Sequence, residues 1–411
     1  MGAVRQLSKD LIDRIAAGEV IERPASVVKE LIENAIDAQA TSITISIEGS
    51  GIGLISIVDN GRGMDEDDLA LAIQRHATSK LKAPEDLFAI QTLGFRGEAL
   101  PSIAAVSRMT IASRTADIPH GSFLVLEGGD LREHGRRAMP EGTIVEIRDL
   151  FFNTPARKKF LKTSATEQKN ILDIITRYAL AYAGVSFKVS SDGRTMMRIA
   201  SGMDLPQRLG MLLGADFKSA MIAFARKESG ICVHGMLAPP EINRALRSGI
   251  LCFVNRRAVR DATLSAAVSE GYRGLLMRNR HPVAVLFVDI DPAEVDVNVH
   301  PAKAEVRFQN QGRVFGLIAA AVREALQRPK APRSSTAEAP STSGFCYPSP
   351  AQNQPAKRAV QTVQTDYRAP ANGFYSGLSI IGTLKDTYIL LEDDASLYIL
   401  DQHAAHERVI Y

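Results

Sequence analysis

A chain of 411 residues is too long for one ordinary hydrophobic core, so two or three domains are expected. It is 45% hydrophobic and 23% charged, and its 49 basic against 46 acidic residues leave a net charge of +3. That balance does not mark a nucleic-acid binder by itself; any DNA contact requires a local patch. The three cysteines, Cys232, Cys252 and Cys346, are scattered and form no CxxC pair, which argues against a disulfide framework or a zinc knuckle. With no charged-then-apolar leader and no apolar run of membrane-spanning length, the protein reads as cytoplasmic, with no membrane role.

In chain order, Pro24 and Ser26 open a helix that includes KELIENAIDA (29–38). ITISIE (43–48) alternates apolar and polar residues as a half-buried strand does, GSG (49–51) turns the chain, and LISIVDN (54–60) is a second strand. A hairpin after a helix predicts a sheet that is not a simple parallel one. DEDDLALAIQ (65–74) is a short helix, and another spans 98–106. Strands follow at 110–114, 122–127 and 143–150, then a long amphipathic helix over 166–183 and a strand over 185–190. A second unit begins near Leu205 and runs to Gln327, with strands near ICVHGML, ILCFVN and VAVLFVDI and a closing helix GRVFGLIAAAVREAL. The expected boundaries are 1–204, 205–328, a disordered linker over 329–376, and 377–411. The linker reading rests on seven of the nineteen prolines lying among Ser, Thr, Ala and Gln. The last segment carries two strand-like runs and is expected to be the truncated start of a further domain.

The helix at 29–38 poses a chemical question. At about 100° per residue, Val28, Leu31, Ile32 and Ala35 share one face, while Glu30, Asn34 and Asp37 stack on the other with Glu33 at its flank. A solvated acidic face is one reading. Against it, Asn is a mediocre helix former, and only Lys29 interrupts the acids. The other reading is a site for hydrated Mg²⁺, which takes oxygen ligands and keeps several waters, with a free carboxylate one turn away to deprotonate a water.

Two glycine motifs follow. DNGRGM (59–64) directly succeeds a strand: either an ordinary two-glycine turn, or a loop approaching a flat ligand with Asp59 accepting from its amino group. LGFRGEAL (93–100) places Gly94 and Gly97 just before a helix, where backbone N–H groups either bind phosphate or merely cap a loop. RHATSK (75–80) adds a polar cationic loop between them, and VNVHPAK (297–303) a lysine on a Pro-stiffened turn. No G-x-x-x-x-G-K-[ST] occurs, which excludes a P-loop.

The order of these motifs resembles the MutL family of DNA mismatch repair proteins, within the GHKL ATPase superfamily of gyrase, heat-shock chaperones and histidine kinases. The resemblance covers about residues 7–325 and resumes at 378–411. GFRGEAL, FFNTPARKKFLK and VDVNVHPAK carry it most specifically. A gyrase-like topoisomerase subunit would show a GGLHGVG-type loop where this chain has LGFRGEAL. A nucleotide-independent DNA scaffold would not need Glu30 and Asn34. Gln39 departs from the pattern, standing where glycine is frequent, and Pro101 sits in the first turn of its helix.

The resemblance implies an N-terminal GHKL (Bergerat) ATPase α/β sandwich, its mixed, mostly antiparallel sheet covered on one side by helices. A ribosomal-protein S5 domain 2-like α/β domain with a left-handed βαβ crossover would follow, then the linker and a C-terminal dimerisation and endonuclease domain. It implies ATP and Mg²⁺ as cofactors. Glu30 would be the general base, Asn34 the Mg²⁺ ligand, and Lys303 a γ-phosphate contact that completes the catalytic set. Asp59 would read the adenine amino group, supported by Gly61, Gly63, Met64 and Thr143, with Asp37 near the adenine or the helix end. Thr78, Ser79 and Lys80, with Gly94, Phe95, Arg96, Gly97, Glu98, Ala99 and Leu100, would form a lid over the phosphates. The activity implied is slow ATP hydrolysis that closes two subunits of a homodimer into a clamp. That clamp would couple mismatch recognition by MutS to strand incision, with DNA, a sliding clamp and a helicase as further partners, near the nucleoid. DQHAAHE (401–407) resembles the start of a metal-dependent endonuclease motif, with Asp401, His403 and Glu407 as matching ligands for Zn²⁺ or Mn²⁺. For DNA, two patches compete: ARKKFLK (156–162), and an arginine set comprising Arg256, Arg257, Arg260, Arg273, Arg278 and Arg280. The second is favoured; a solvated basic face is the plain alternative for each.

Overall fold

The computed structural model describes residues 20–75, 77–78, 93–94, 97–214, 220–246, 249–296 and 306–327, together with the backbone of three strands between 379 and 401. Residues 1–347 form one compact unit and 348–411 another.

The first unit is built on two larger sheets. Helix α1 (Pro24–Asp37) leads into strands β1 (Ser42–Glu48) and β2 (Leu54–Asp59), paired as an antiparallel hairpin with Ile45 opposite Ile57. After α2 (Glu66–Ala72) and α3 (Ala99–Ala105) come β3 (Arg108–Arg114), β4 (Gly121–Glu127), β5 (Asp130–Arg137) and β6 (Gly142–Arg148). The short α4 (Pro155–Lys159) and long α5 (Ser164–Ala181) precede β7 (Ser186–Ser191) and β8 (Arg194–Ile199). The sheet order is β5-β4-β3-β6-β2-β1-β7-β8. Its pairings are antiparallel except β1 with β7, giving the expected mixed, mostly antiparallel sheet.

Period-two patterning explains how the sheet is covered. Ile43, Ile45 and Ile47 of β1 and Ile55 and Ile57 of β2 are buried, in one core with Val27, Val28, Leu31 and Ile32 of α1 and Ile171 and Ile175 of α5. Removing such large aliphatic side chains from water is the main stabilisation available to this layer, about 1.5–3 kcal/mol each. Polar links align the two helices. Arg23, the N-cap of α1, donates to Glu167 Oε1 at 2.8 Å, and the same buried oxygen accepts the Lys162 N–H at 2.9 Å.

Helix α1 ends in a Schellman arrangement. Ala40 N–H reaches Ala35 O at 3.0 Å and Gln39 N–H reaches Ile36 O at 2.9 Å, with Gln39 left-handed at φ +63°. This turn accounts for the glycine expected there. Pro101 lies in the first turn of α3 and is buried, as a helix start allows.

The second large sheet follows α6 (Leu205–Leu213). Strands β9 (Ile222–Glu228) and β10 (Ile231–Leu237) precede the short β11 (Asn243–Arg244), then β12 (Ile250–Val254) and β13 (Arg257–Val259). Helix α7 (Ala262–Gly271), the short β14 (His281–Pro282) and β15 (Ala284–Asp289) come next. Two-residue strands β16 (Val295–Asp296) and β17 (Arg307–Phe308) precede α8 (Gln311–Gln327). The order is β13-β12-β15-β10-β9, and β12 and β15 run parallel on either side of α7 in sequence. One face packs under α7 and α8 through Leu264, Val268, Ile318 and Val322. The other meets α5 and α6 through Phe253, Phe287, Leu180 and Leu209. Sandwiching explains why every residue of β10 is buried.

Arg208 of α6 is fully buried. Its guanidinium donates to the carbonyls of Ala179 and Tyr182 at the end of α5, of Ala183 and Val185 in the following turn, and of Ala200 after β8. A helix leaves its last carbonyls without intrahelical donors, and Arg208 supplies them from outside.

In the second unit, β18 (Ser379–Leu384), β19 (Tyr388–Glu392) and β20 (Leu397–Asp401) form an antiparallel meander, three strands where two were expected. The linker at 329–376 lies outside the described residues.

Candidate functional site

One end of α1 gathers the motifs. Asp37, its last residue, accepts the Leu93 N–H on Oδ1 at 3.0 Å and the Gly94 N–H on Oδ2 at 3.1 Å. Ala38, the C-cap, accepts the Arg62 N–H at 3.0 Å, and a side chain on Gly61 would meet Ala38 at 2.8 Å. The acidic helix, DNGRG and the start of GFRGEAL therefore meet at backbone level. The rest of GFRGEAL meets RHATSK in the same way. Gly97 has φ +64°, and a Cβ there would lie 2.3 Å from Ala77 O, so only glycine allows this approach. Gly97 and Glu98 then lead into α3, whose first residues are Ala99 and Leu100.

The floor of the site comes from the ends of β2, β6 and β3. Asp59 closes β2 opposite Thr143 of β6. Its Oδ1 accepts the Gly61 N–H at 2.8 Å. Burial raises its carboxyl above the ordinary value, against the hydrogen bonds of Gly61 and Thr143, which lower it. Thr143 Oγ1 lies 2.9 Å from Ser113 Oγ of β3, which also accepts the Met64 N–H at 2.8 Å. Gly63 is pressed on Arg114: a Cβ there would sit 2.0 Å from its carbonyl oxygen, so this position too is restricted to glycine.

On α1, Glu30 and Asn34 are half-buried, one turn apart. Glu33 differs from its expected place on the flank: it is buried, and its Oε1 accepts the Tyr178 hydroxyl at 2.5 Å and pairs with Lys29 at 3.1 Å. The wheel placed it at an edge, but α5 covers that edge. Lys29 also lies 2.8 Å from Glu30 Oε1. Tyr182, 6.3 Å from Tyr178 between ring centroids, is held protonated first by burial and then by the charges of Asp37 and Glu33, against Arg257 and Arg256. Asn60 is exposed and ties the DNGRG loop to the turn before β1: its Oδ1 accepts the N–H groups of Thr41 and Ser42 at 2.9 and 2.7 Å.

Sequence reasoning missed Ser113, Tyr178 and Tyr182. Ser113 lies near the end of β3, Tyr178 is buried on α5 and Tyr182 is the half-buried C-cap of that helix; none lies in a local motif, so only tertiary pairing reveals them. Thr78 and Gly94 are described, whereas Ser79, Lys80, Phe95, Arg96, Lys303, His403 and Glu407 lie outside the described residues. Asp401 is described only as the backbone end of β20. Among the described residues, no three His, Cys, Asp or Glu side chains converge as a metal site.

The DNA candidates divide by exposure. Asn255 and Arg256 form a two-residue hairpin loop, both with positive φ, between β12 and β13. Arg256 and Arg257 are half-buried toward Tyr182, whereas Arg260, Arg273, Arg278 and Arg280 are exposed. In the other patch, Asn153 donates to Ala105 O at 2.9 Å and Phe151 is fully buried, so FFN anchors a segment whose Lys158, Lys159 and Phe160 face outward.

Comparison with known proteins follows this division. Residues 21–148 match the model for histidine kinase-, DNA gyrase B- and HSP90-like ATPases, and 209–327 that for the DNA mismatch repair protein, C-terminal domain. Residues 381–411 match that for the MutL C terminal dimerisation domain. The DNA mismatch repair protein MutL of Geobacter sulfurreducens is 41% identical over 450 residues, covering 99% of this chain and 74% of that protein. The MutL of Desulforudis audaxviator is 43% identical over 415 residues, covering 100% and 73%. Among solved structures, the N terminal domain of a DNA repair protein is 25% identical with a TM-score of 0.67, covering 77% of this chain and 97% of that one. The Aquifex aeolicus MutL ATPase domain complexed with ADP is 28% identical with a TM-score of 0.51, covering 73% and 98%.

Proposed function

Because the chain belongs to the MutL family of DNA mismatch repair proteins, as relatives at 41 to 43% identity over nearly its whole length establish, we propose that it binds ATP at the end of α1 and uses slow hydrolysis to time a repair clamp. The observation that carries this reading is Asp37 holding Leu93 and Gly94 beside the DNGRG loop, which joins the acidic helix to both glycine motifs. Mismatch repair models matching 209–327 and 381–411 favour it over a topoisomerase subunit.

Phosphoryl transfer needs positioning and charge stabilisation more than covalent chemistry. In this reading Asp59 accepts the adenine amino group, Ser113 and Thr143 complete the polar floor, and the loops at 76–80 and 94–100 fold over the phosphates. Asn34 offers an oxygen beside a carboxylate, a donor set that suits Mg²⁺; the ion when bound would neutralise phosphate charge. Glu30 takes a proton from the attacking water, and Lys303, outside the described residues, supplies a cation to the γ-phosphate.

The wider proposal assigns 1–204 to the ATPase domain, 205–328 to the transducer, 329–376 to the linker and 377–411 to the start of the dimerisation domain. It takes a homodimer as the working form, MutS, DNA, a sliding clamp and a helicase as partners, and the cytoplasm at the nucleoid as the place of work. Endonuclease activity through Asp401, His403 and Glu407 with Zn²⁺ or Mn²⁺ belongs to the same proposal. Light scattering with a non-hydrolysable ATP analogue tests its dimer: an unchanged mass at high protein and nucleotide concentration overturns nucleotide-driven closure.

Two substitutions test the site. Removing a positioned base costs about 10²–10⁴-fold in rate. Glu30→Ala should keep nucleotide affinity and lose turnover by about that factor, whereas Asn34→Ala should lose Mg²⁺-dependent affinity as well. Near-normal turnover in Glu30→Ala would remove Glu30 from the mechanism.

A further inference from the structure

Lys29 precedes the proposed base in sequence and touches it in space. Its ammonium lies 2.8 Å from Glu30 Oε1 and 3.1 Å from Glu33 Oε1. The Glu33 carboxylate is 4% exposed and also accepts the Tyr178 hydroxyl at 2.5 Å, across 145 positions of sequence. The chain of contacts therefore runs from Tyr178 on α5, through Glu33 and Lys29, to Glu30.

Each link has a physical reason to be rigid. A lysine on a helix surface normally spends its rotamer freedom in water. This one is 22% exposed, held between two carboxylates. A carboxylate as buried as Glu33 is costly unless paired and hydrogen-bonded, and it has both a cation and a hydroxyl donor. Tyr178 remains a donor: burial, and then the charge of Glu33, push its hydroxyl well above the ordinary value. Burial works against the Lys29 charge, but the attraction of Glu30 and Glu33 outweighs it and raises its value.

We infer that Lys29, anchored by Glu33 and Tyr178, is a positioning residue that holds the Glu30 carboxylate in the orientation needed to take a proton from water. The inference rests on the reading of Glu30 as the base. An ammonium has three donors and no acceptor, so Lys29 cannot receive the proton itself. Its part is to fix the carboxylate oxygen it touches and leave the other oxygen for the water. Glu33 and Tyr178 act one step further back by keeping the ammonium in place. The tether also uses an element outside the acidic helix, so a shift of α5 against α1 would reach the base directly.

The test uses the full chain, with nucleotide affinity and single-turnover hydrolysis measured separately. Lys29→Met keeps the length and loses the charge. Its turnover should fall about 10- to 100-fold, as a misplaced reacting group does, while ATP affinity stays at the wild-type value. Lys29→Arg should restore most of the rate. In a Glu30→Ala background, Lys29→Met should cost nothing more, because a positioning residue has no effect without the group it positions. Should Lys29→Met fail to fold, Tyr178→Phe, which removes one hydroxyl, should lower turnover in the same direction without changing affinity. Wild-type turnover in Lys29→Met, or in Tyr178→Phe where that variant stands in, overturns the inference. So does a loss confined to ATP affinity, or a further loss in the Glu30→Ala background. Normal turnover in Glu30→Ala alone overturns the base assignment instead, so the two failures are read apart.

Discussion

The Asp37 carboxylate accepts the Gly94 backbone N–H at 3.1 Å, tying the last residue of α1 to the first glycine of GFRGEAL. A second bond from Leu93 at 3.0 Å makes the carboxylate a clamp on two successive amides. Asp37 thus has a contact independent of any ligand: it sets where the glycine loop leaves the helix.

Removing that clamp should loosen the loop without unfolding the domain. Hydrogen bonds to charged groups contribute about 1.5–3 kcal/mol each, and partial exposure of Asp37 reduces this to about 1–2 kcal/mol for the pair. Asp37→Ala should therefore weaken ATP binding about 10-fold. Asp37→Asn is no conservative change, because its amide N–H₂ would face one of the two backbone donors. Amide exchange at Leu93 and Gly94 should speed up in both variants. Wild-type affinity in both, with unchanged exchange, would show that the loop is held elsewhere.

At the same helix end, Gln39 adopts φ +63° in the Schellman turn and is exposed. A non-glycine residue in the left-handed region costs about 1–2 kcal/mol, and glycine returns part of that as unfolded-chain entropy. Gln39→Gly should therefore stabilise the protein by about 0.5–1 kcal/mol. Denaturant unfolding followed by the ATPase domain's signal checks it; a destabilised variant would mean that the Gln39 side chain makes a compensating contact.

The parts legible in sequence were those governed by local pattern. The apolar stripe of α1 and the alternation in β1 and β2 appear where period and burial agree. The strands missed in the first sheet, β5 and β8, are its two edges. DLREHGRR is exposed at nearly every position and has no apolar face to alternate. Arg208 and Glu33 show the other limit. Charged residues are read as solvated by default; the carbonyls of Ala179 to Ala200 explain the burial of Arg208, and the Tyr178 hydroxyl with the Lys29 ammonium explains that of Glu33. Glu30, Asn34 and Asp59 stood out because their motifs are local; Ser113 and Tyr178 did not, because their partners are distant in sequence.

Exposure reshapes the expectation for DNA. The six arginines between Arg256 and Arg280 are one patch by sequence but two environments in the fold. Arg256 and Arg257 are half-buried toward Tyr182, which also feels Asp37 and Glu33. Changing them to Glu would disturb the packing beside the proposed nucleotide site, so a loss of DNA binding would not isolate a DNA contact. Arg278 and Arg280 stand on the surface after α7, next to Met277 at 83% exposed, and Arg273 is already paired with Glu270 at 3.2 Å. Phosphate contacts carry no sequence information, so binding there should be nonspecific and should fall steeply with salt, about 0.9 of a log unit per log of salt for each phosphate neutralised. Arg278→Glu with Arg280→Glu should weaken duplex binding and flatten the salt slope by about two such steps, leaving ATP affinity unchanged. Arg260→Glu should act in the same direction, with an added local effect because the Arg260 charge, after burial, lowers the value of the half-buried Arg177 guanidinium. Filter binding or anisotropy at several salt concentrations measures the slope. If the double variant keeps both the affinity and the slope of the wild type, the arginines after α7 do not meet phosphate, and the exposed Lys158 and Lys159 of α4, with Lys162 just after it, become the contact to test.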